Sequence, residues 1–137
     1  MALYVPKEHT AAALRYRSRS NREPILFTPL HRLELRTTVR QCAYAGVITE
    51  NRAKQILRCI EEDLGDGTLI HLPMSWTETL RRAETVADKL AWSSPCRSLD
   101  LWHVAVALES RAKTFVTFDN DQLALAKEAG LHAICPH

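Results

Sequence analysis

The strongest constraint on the fold is a helix pattern that is followed closely by a short apolar strand. The helix carries an acid at its start and the strand carries an acid at its end. Asp100 lies in the first turn of a segment whose apolar residues recur at the i, i+3, i+4, i+7 spacing of a helix. The run FVTF at residues 115–118 is typical of a buried parallel strand, and Asp119 stands where it ends. In open α/β sheets ligands bind outside the carboxyl ends of the strands, so both acids are expected to face one cleft.

Helix patterns alternate with short strand patterns along the whole chain. Helices are predicted over residues 8–20, 29–45, from 49 to the breaker cluster at 63–67, 76–90, around 100–108 and 121–129, and strands over 25–27, 68–72, 115–118 and 132–135. Thr28 and Ser75 are good N-caps, and Gly46 and Gly130 lie just beyond helix ends. This alternation favours an α/β sandwich with a mostly parallel sheet, and 137 residues suit a single domain over 1–137.

Several classes of protein are excluded by the composition. No apolar run approaches 18 residues and the N-terminus has no signal-peptide pattern, so the protein is expected to be cytoplasmic and to have no membrane partner. The four cysteines are widely spaced and include no C-x-x-C, and we interpret them as reduced packing residues: Cys42, Cys59, Cys96 and Cys135. The sequence has no glycine-rich phosphate loop and no serine nucleophile motif.

The charge is unevenly divided along the sequence. Residues 1–60 hold 11 Lys and Arg against 4 Asp and Glu, a net charge of +7, whereas residues 61–137 hold 7 against 12, a net charge of −5. A basic half could attract a nucleic acid and an acidic half cations. The ordinary alternative is a set of solvated helix faces, which applies above all to Arg15, Arg17, Arg19 and Arg22.

Three acids are candidate site residues: Glu34, Asp100 and Asp119. Each has an ordinary alternative role, which is a helix N-cap for Asp119, a partner of the helix dipole for Asp100 and an exposed helix position for Glu34. Glu34, however, lies among residues of buried type, and charged side chains are seldom buried without a partner. Mg²⁺ or Mn²⁺ is a natural partner, since both bind carboxylate and phosphate oxygens. A metal held here would activate water for in-line attack on a phosphate, which is nuclease chemistry.

Several stretches of the sequence resemble the PIN domain, most closely the VapC-type ribonuclease toxins of bacterial toxin–antitoxin pairs. They are LYVPKEH at residues 3–9, Glu34 in the second helix, RSLDLWHVA at 97–105, and TFDNDQLALA at 117–126 with Gly130 and Leu131. The last two are specific when they occur in this order and spacing. The resemblance covers nearly the whole chain and implies a three-layer α/β/α sandwich.

The resemblance also implies an activity, a site and partners. The second, third and fourth acids of the family match Glu34, Asp100 and Asp119, with Asp121 as an auxiliary acid, and these side chains are expected to hold Mg²⁺ or Mn²⁺. The implied activity is that of a metal-dependent endoribonuclease, a toxin that hydrolyses RNA phosphodiester bonds. Three basic residues are expected to steer the RNA backbone: Arg36, Arg40 and Arg97. The implied partners are the RNA substrate, a cognate antitoxin protein and a second copy of the chain in a homodimer.

The sequence departs from the family at its start. PIN domains begin with a strand that carries the first acid, whereas here no carboxylate precedes Glu8, which lies in the following helix and is not accepted as a substitute. The chain is therefore expected to lack this strand and one metal ligand. This departure leaves a second hypothesis open, a catalytically inactive PIN-like module that binds an antitoxin or RNA.

Four large helix residues are interpreted as packing residues rather than site residues: Trp76, Trp92, Trp102 and His103. Their helices are amphipathic, and aromatic side chains on such helices belong to cores or interfaces more often than to base-stacking platforms. His103 lies one turn from Asp100, so a role in the site is its alternative.

Overall fold

The computed structural model describes residues 2–5, 8–20, 23–92 and 95–137, so Pro6 and Lys7 of the first motif and Arg22 lie outside the described residues. Within these ranges the helices are α1 (Thr10–Arg19), α2 (Pro29–Tyr44), α3 (Glu50–Gly65), α4 (Trp76–Leu90), α5 (Ser98–Glu109) and α6 (Asn120–Glu128), and the strands are β1 (Ile25–Phe27), β2 (Leu69–His71), β3 (Phe115–Val116) and β4 (Ala133–Ile134). The α/β class and the predicted order of the elements are confirmed. None of the described helices is long and apolar enough to cross a membrane.

The chain forms two compact units, Met1–Pro73 and Met74–His137, and each contains a pair of parallel strands. In the first unit β1 pairs with β2, with Ile25 opposite Leu69. In the second unit β3 pairs with β4, with Phe115 opposite Ala133. Parallel neighbours need a crossover connection, which α2 and α3 supply in the first unit and α6 supplies in the second.

The first unit packs its two strands, α2 and α3 around one apolar cluster. Its buried residues are Val5, Phe27, Leu35, Val39, Ala53, Ile56, Ile60 and Leu69. The segment before α1 is tied to this unit as well, since Val5 is fully buried and the Tyr4 hydroxyl donates a hydrogen bond to the Asp63 carboxylate of α3. Burial, together with this hydrogen bond, raises the pKa of the Tyr4 hydroxyl above its usual value.

Thr28 and Pro29 begin α2 in the way that the sequence predicts. Thr28 Oγ1 accepts the backbone N–H of His31 at 3.1 Å, and Pro29 occupies the first helical position, where a backbone N–H has no intrahelical partner. The His31 ring nitrogen accepts the Thr28 N–H in return at 3.2 Å. Two backbone donors at the helix start are thereby satisfied inside a buried turn.

The second unit is built on the packing of α4 against α5 and of α5 against α6. Its buried cluster consists of Val86, Val104, Leu125, Ala126 and Ala133. Trp102 is also buried, and its ring lies 4.9 Å from that of Trp76, which confirms a packing role for both. Trp92 is 91% exposed, which excludes a core role in this chain and leaves the interface role a prediction. The packing role expected of Cys59 is wrong, because Cys59 is exposed on α3.

Strand β3 is shorter than the run of apolar residues 115–118 that predicts it. Only Phe115 and Val116 pair with β4, although the Thr117 N–H still donates to the Ile134 carbonyl at 3.1 Å. The partner strand limits the ladder, because Pro136 soon follows Ile134 and has no N–H to donate. Strand length is therefore set by the pairing partner and not by the local pattern.

Three helices end in the same hydrogen-bonded turn, but one of them lacks glycine. After α2 and α6 the turn contains Gly46 and Gly130, both with positive φ, as the sequence predicts. After α5 the corresponding residue is Arg111 at φ +52°, where Arg111 N–H donates to Leu108 and Ala112 N–H to Ala107. A side chain at positive φ is strained, because Cβ crowds the following carbonyl oxygen.

Replacing Arg111 by glycine is expected to stabilise the chain. Arg111→Gly should raise the free energy of unfolding by about 0.5–1 kcal/mol, because glycine reaches positive φ without that crowding. Urea unfolding measures the change. Ser110→Gly is the matched control, since Ser110 precedes Arg111 in the same turn at φ −76° and gains no relief. Equal or lower stability of Arg111→Gly would show that the turn stores no strain.

Candidate active site

Asp100 is held at the N-terminus of α5, where the backbone itself orients its carboxylate. Arg97 precedes the helix as its N-cap, and Asp100 is the third helical residue. Asp100 Oδ2 accepts the backbone N–H of Arg97 at 3.2 Å, and the side chain is only 10% exposed. The positive end of the helix dipole also favours a carboxylate here. The dipole role that the sequence suggests as an alternative is thus fulfilled.

Asp119 occupies the equivalent place at the start of α6. Its Oδ1 accepts the backbone N–H of Gln122 at 3.0 Å, which makes Asp119 the N-cap of the helix. Its own N–H donates to Oγ1 of the buried Thr117 at 3.1 Å, which fixes the turn between β3 and α6. The ordinary N-cap alternative is therefore confirmed, and it uses only one of the two carboxylate oxygens.

Arg97 brings the two carboxylates together. Its Nε donates to Asp100 Oδ2 at 3.1 Å and its Nη2 donates to Asp119 Oδ2 at 2.8 Å. The hydrogen bond to Asp100 and the charges of both carboxylates raise the pKa of the Arg97 guanidinium above its usual value. The expectation that Asp100 and Asp119 face one place is thus fulfilled, with an arginine between them.

Gln122 is a member of this cluster that the sequence analysis missed. Its side-chain Nε2 donates to Asp100 Oδ1 at 3.2 Å, while its backbone N–H caps onto Asp119. A glutamine three residues after an N-cap is a capping-box signal, which predicts a side chain that returns to the cap backbone. Here the side chain reaches across to α5 instead, so Gln122 links the two acids through the Oδ1 atoms, which the Arg97 side chain does not bind.

The sequence matches a known protein family over most of its length. Residues 1–128 match the PIN domain, so the match runs through both units. The chain belongs to the PIN domain family. No curated protein matches the sequence. PIN domains are generally nucleases that act on RNA, and they typically bind divalent metals such as Mg²⁺.

The other two predicted site acids lie on α6 and on α2. Asp121 is exposed in the first turn of α6, two residues after Asp119. Glu34 is half-buried on α2, in the first unit. Among the described residues no group of three or more His, Cys, Asp or Glu side chains is placed to hold a metal ion. Within the second unit, the predicted site residues Asp100 and Asp119 are brought together by their contacts with Arg97.

The donor atoms of this pair fit a hard divalent cation. Oδ2 of Asp100 and Oδ2 of Asp119 both contact one positively charged group, and carboxylate oxygens are the ligands that Mg²⁺ and Mn²⁺ prefer. One guanidinium carries a single positive charge against two negative charges. The local charge is therefore balanced only in part, and a divalent ion in place of the guanidinium would balance it fully.

Two arginines of α2 have different partners from those expected. Arg36 donates to Glu61 of α3 at 2.6 Å, and Arg40 Nη1 donates to the backbone carbonyl of Arg36 at 3.0 Å. At about 100° per residue, Arg36 and Arg40 lie about 160° and about 120° around the helix from Glu34. Arg36 and Arg40 therefore lie away from the Glu34 side of α2, and their role in steering the RNA backbone stays a prediction.

The uneven charge of the sequence has a structural explanation as well. Counted by unit, residues 1–73 hold 11 Lys and Arg against 8 Asp and Glu, a net charge of +3, and residues 74–137 hold 7 against 8, a net charge of −1. The acids at the end of α3 belong to the first unit, where Glu61 pairs with Arg32 and Arg36. The positive charge of the basic half of the sequence is thus largely neutralised within the first unit.

Two substitutions of Asp119 separate its capping role from its charge. Asp119→Ala is expected to lower the free energy of unfolding by about 1 kcal/mol, because the α6 cap is lost, whereas Asp119→Ser keeps a capping oxygen and should lose less. Thermal or urea unfolding of the metal-free protein gives both values. Asp121→Ala serves as a control, because this exposed neighbour does not cap the helix. Equal losses in the alanine and serine variants would contradict the capping role.

Proposed function

We propose that this PIN chain is a metal-dependent endoribonuclease of the VapC type, the toxin of a toxin–antitoxin pair. The observation that carries the proposal is the pair of carboxylates whose Oδ2 atoms share one cation, at 3.1 Å for Asp100 and 2.8 Å for Asp119. PIN domains are generally nucleases, and two converging carboxylates are the part of a nuclease site that this chain supplies from adjacent helix starts.

The proposed ligands of Mg²⁺ or Mn²⁺ are Glu34, Asp100 and Asp119, with Asp121 as an auxiliary acid. When bound, the metal supplies a positive charge that activates water and stabilises the charge developing on the RNA phosphate. Gln122 orients both acids, through its side chain to Asp100 and its backbone to Asp119. Such support keeps ligand oxygens in place, and its loss typically weakens metal binding by about 10- to 100-fold.

We propose further that residues 1–137 act as a single PIN domain. The family match over residues 1–128 supports this, because it includes residues of both units. It is also the reason why Glu34 is proposed as a ligand together with acids of the second unit. The assignment of Glu34 rests on the resemblance and on its half-buried position in α2.

The proposed partners follow from the toxin function. They are the RNA substrate, a cognate antitoxin protein that covers the acids, and a second copy of the chain in a homodimer. A toxin that cleaves cellular RNA acts in the cytoplasm, which is therefore the proposed location of the protein. Exposed apolar side chains support a protein interface on the second unit, since Trp76 and Leu80 on α4 and Leu99 on α5 are about half exposed.

The second hypothesis, an inactive PIN-like module that binds an antitoxin or RNA, is favoured by a specific observation. Asp100 and Asp119 both have structural roles at helix starts and share an ion pair with Arg97, so both would be retained in a protein without catalysis. Measured cleavage separates the two functions.

Removal of the Asp100 charge is expected to abolish cleavage. Asp100→Asn keeps the shape of the side chain, but it loses a ligand charge and should lower the rate of RNA cleavage by at least about 100-fold. The measurement is degradation of total cellular RNA on a gel with Mg²⁺ or Mn²⁺, and excess EDTA should stop the wild type as well. Glu109→Gln is the control, since Glu109 is an exposed acid on the same helix that pairs with Arg82.

Two results would contradict the metal mechanism. One is unchanged cleavage by Asp100→Asn, and the other is full wild-type activity in excess EDTA. Folded wild-type protein without cleavage at any metal concentration would favour the inactive module. Melting curves of each variant show whether a loss of activity reflects a loss of fold.

The proposed dimer depends on the apolar surface of α4. Leu80→Glu is expected to weaken self-association by at least about tenfold, because burial of a leucine is worth about 1.5–3 kcal/mol and a buried charge costs more. Sedimentation at tens of micromolar measures the change, and Leu33→Glu on the exposed side of α2 is the matched control. A wild type that is monomeric at this concentration would refute the dimer.

A further inference from the structure

Arg97 is the residue of the site that the nuclease proposal leaves without a role. Its side chain is 73% exposed and lies over two carboxylates that are 10% and 39% exposed. The motif that resembles the family includes it, but its expected role was to steer RNA from the surface. In the structure both of its contacts are with acids of the site itself.

The oxygens of the two acids are divided between two partners. Gln122 binds Oδ1 of each, with its side chain at 3.2 Å for Asp100 and its backbone N–H at 3.0 Å for Asp119. The Arg97 guanidinium binds Oδ2 of each. One pair of oxygens is therefore held by a fixed amide partner, and the other pair is turned toward a cation at the exposed side of the site.

We propose that Arg97 is an internal substitute for the metal. In the metal-free protein its guanidinium binds Asp100 Oδ2 and Asp119 Oδ2. When a divalent cation binds, the guanidinium is displaced and then pairs with an RNA phosphate. The inference rests on the proposed nuclease function. It adds that the chain carries its own competitor for the metal, and that the same residue changes partner during loading of the site.

The contacts of Arg97 make such a displacement inexpensive. The Arg97 side of both ion pairs is exposed, as is Asp119 in part, and ion pairs open to solvent contribute little because water competes with them. The backbone N–H of Arg97 binds Asp100 Oδ2 independently of the guanidinium. Asp100 therefore stays oriented by Arg97 N–H, the start of α5 and Gln122 after the side chain leaves, and the site does not need to be rebuilt.

The charges account for both the competition and the change of partner. Arg97, Asp100 and Asp119 together carry a net charge of −1, which repels an RNA backbone and attracts a divalent cation. With the cation bound, the same group carries +1, and a released guanidinium beside it suits a phosphate. Arginine fits both partners, because its planar group binds carboxylate and phosphate alike.

The test is to measure Mn²⁺ binding to the full chain, without RNA, by calorimetric titration. Arg97→Ala is expected to bind Mn²⁺ about three- to tenfold more tightly than the wild type, because two ion pairs no longer compete with the metal. Arg82→Ala is the matched control: Arg82 is an exposed arginine of the same unit that pairs with Glu109, and its removal should change the affinity by less than about twofold.

The second measurement is cleavage of total cellular RNA at saturating Mn²⁺. Arg97→Ala should cleave about tenfold more slowly, despite its tighter metal binding, because the guanidinium that would pair with phosphate is missing. Tighter binding with slower cleavage supports the whole proposal. Tighter binding with an unchanged rate supports the displacement and overturns the pairing with phosphate, and equal or weaker Mn²⁺ binding overturns the proposal entirely.

A lysine variant keeps the test valid if Arg97→Ala does not fold. Arg97→Lys retains the charge but cannot bridge two carboxylates with a planar group, so its Mn²⁺ affinity should lie between those of the wild type and the alanine variant. Wild-type affinity in a folded lysine variant, when the alanine variant is not folded, overturns the proposal.

Failure of the nuclease proposal gives a different pattern. If Asp100→Asn binds Mn²⁺ as tightly as the wild type, or if no variant binds Mn²⁺, the metal site itself is wrong and the inference falls with it. If Asp100→Asn abolishes binding while Arg97→Ala leaves it unchanged, the metal site stands and only the role of Arg97 is overturned.

Discussion

In the second unit the same two acids, Asp100 and Asp119, both stabilise the starts of helices and form the candidate site. Asp100 and Asp119 each satisfy a backbone N–H that the helix leaves unpaired, and each still has an oxygen for Arg97. Folding alone therefore holds two carboxylates side by side, because α5 and α6 pack together. Two carboxylates held side by side repel each other unless a cation lies between them, and Arg97, which precedes α5, supplies that cation.

Elements with local signals could be predicted from the sequence, and those that depend on a distant partner could not. Thr28 and Ser75 mark helix starts, and Gly46 and Gly130 mark helix ends, because caps and turns are formed by residues close in sequence. The turn at Arg111 carries no such signal. The length of β3 was overestimated because its ladder ends with its partner strand, which the residues of β3 do not specify.

The candidate site shows the same division. The sequence correctly predicted that Asp100 and Asp119 lie together, because the rule for strand ends applies to Asp119 after β3 and the helix pattern places Asp100 at the start of α5. The partners of these acids depend on side-chain rotamers and on packing between helices, which no sequence pattern encodes. Gln122 is the clearest case, because its spacing predicts a bond to its own turn and its side chain binds Asp100 instead.

The charge of the site has a consequence for the order of events at a PIN nuclease of this kind. The first and second units carry +3 and −1, so neither has the large positive charge that draws a nucleic acid from a distance. At the site itself, one arginine against two carboxylates leaves a net negative charge that an RNA backbone must approach. Under the proposed metal-dependent function, a divalent cation bound by the two acids would reduce this repulsion. The proposal therefore favours metal binding before RNA binding, in which case the free metal concentration would control access of the substrate as well as the chemistry.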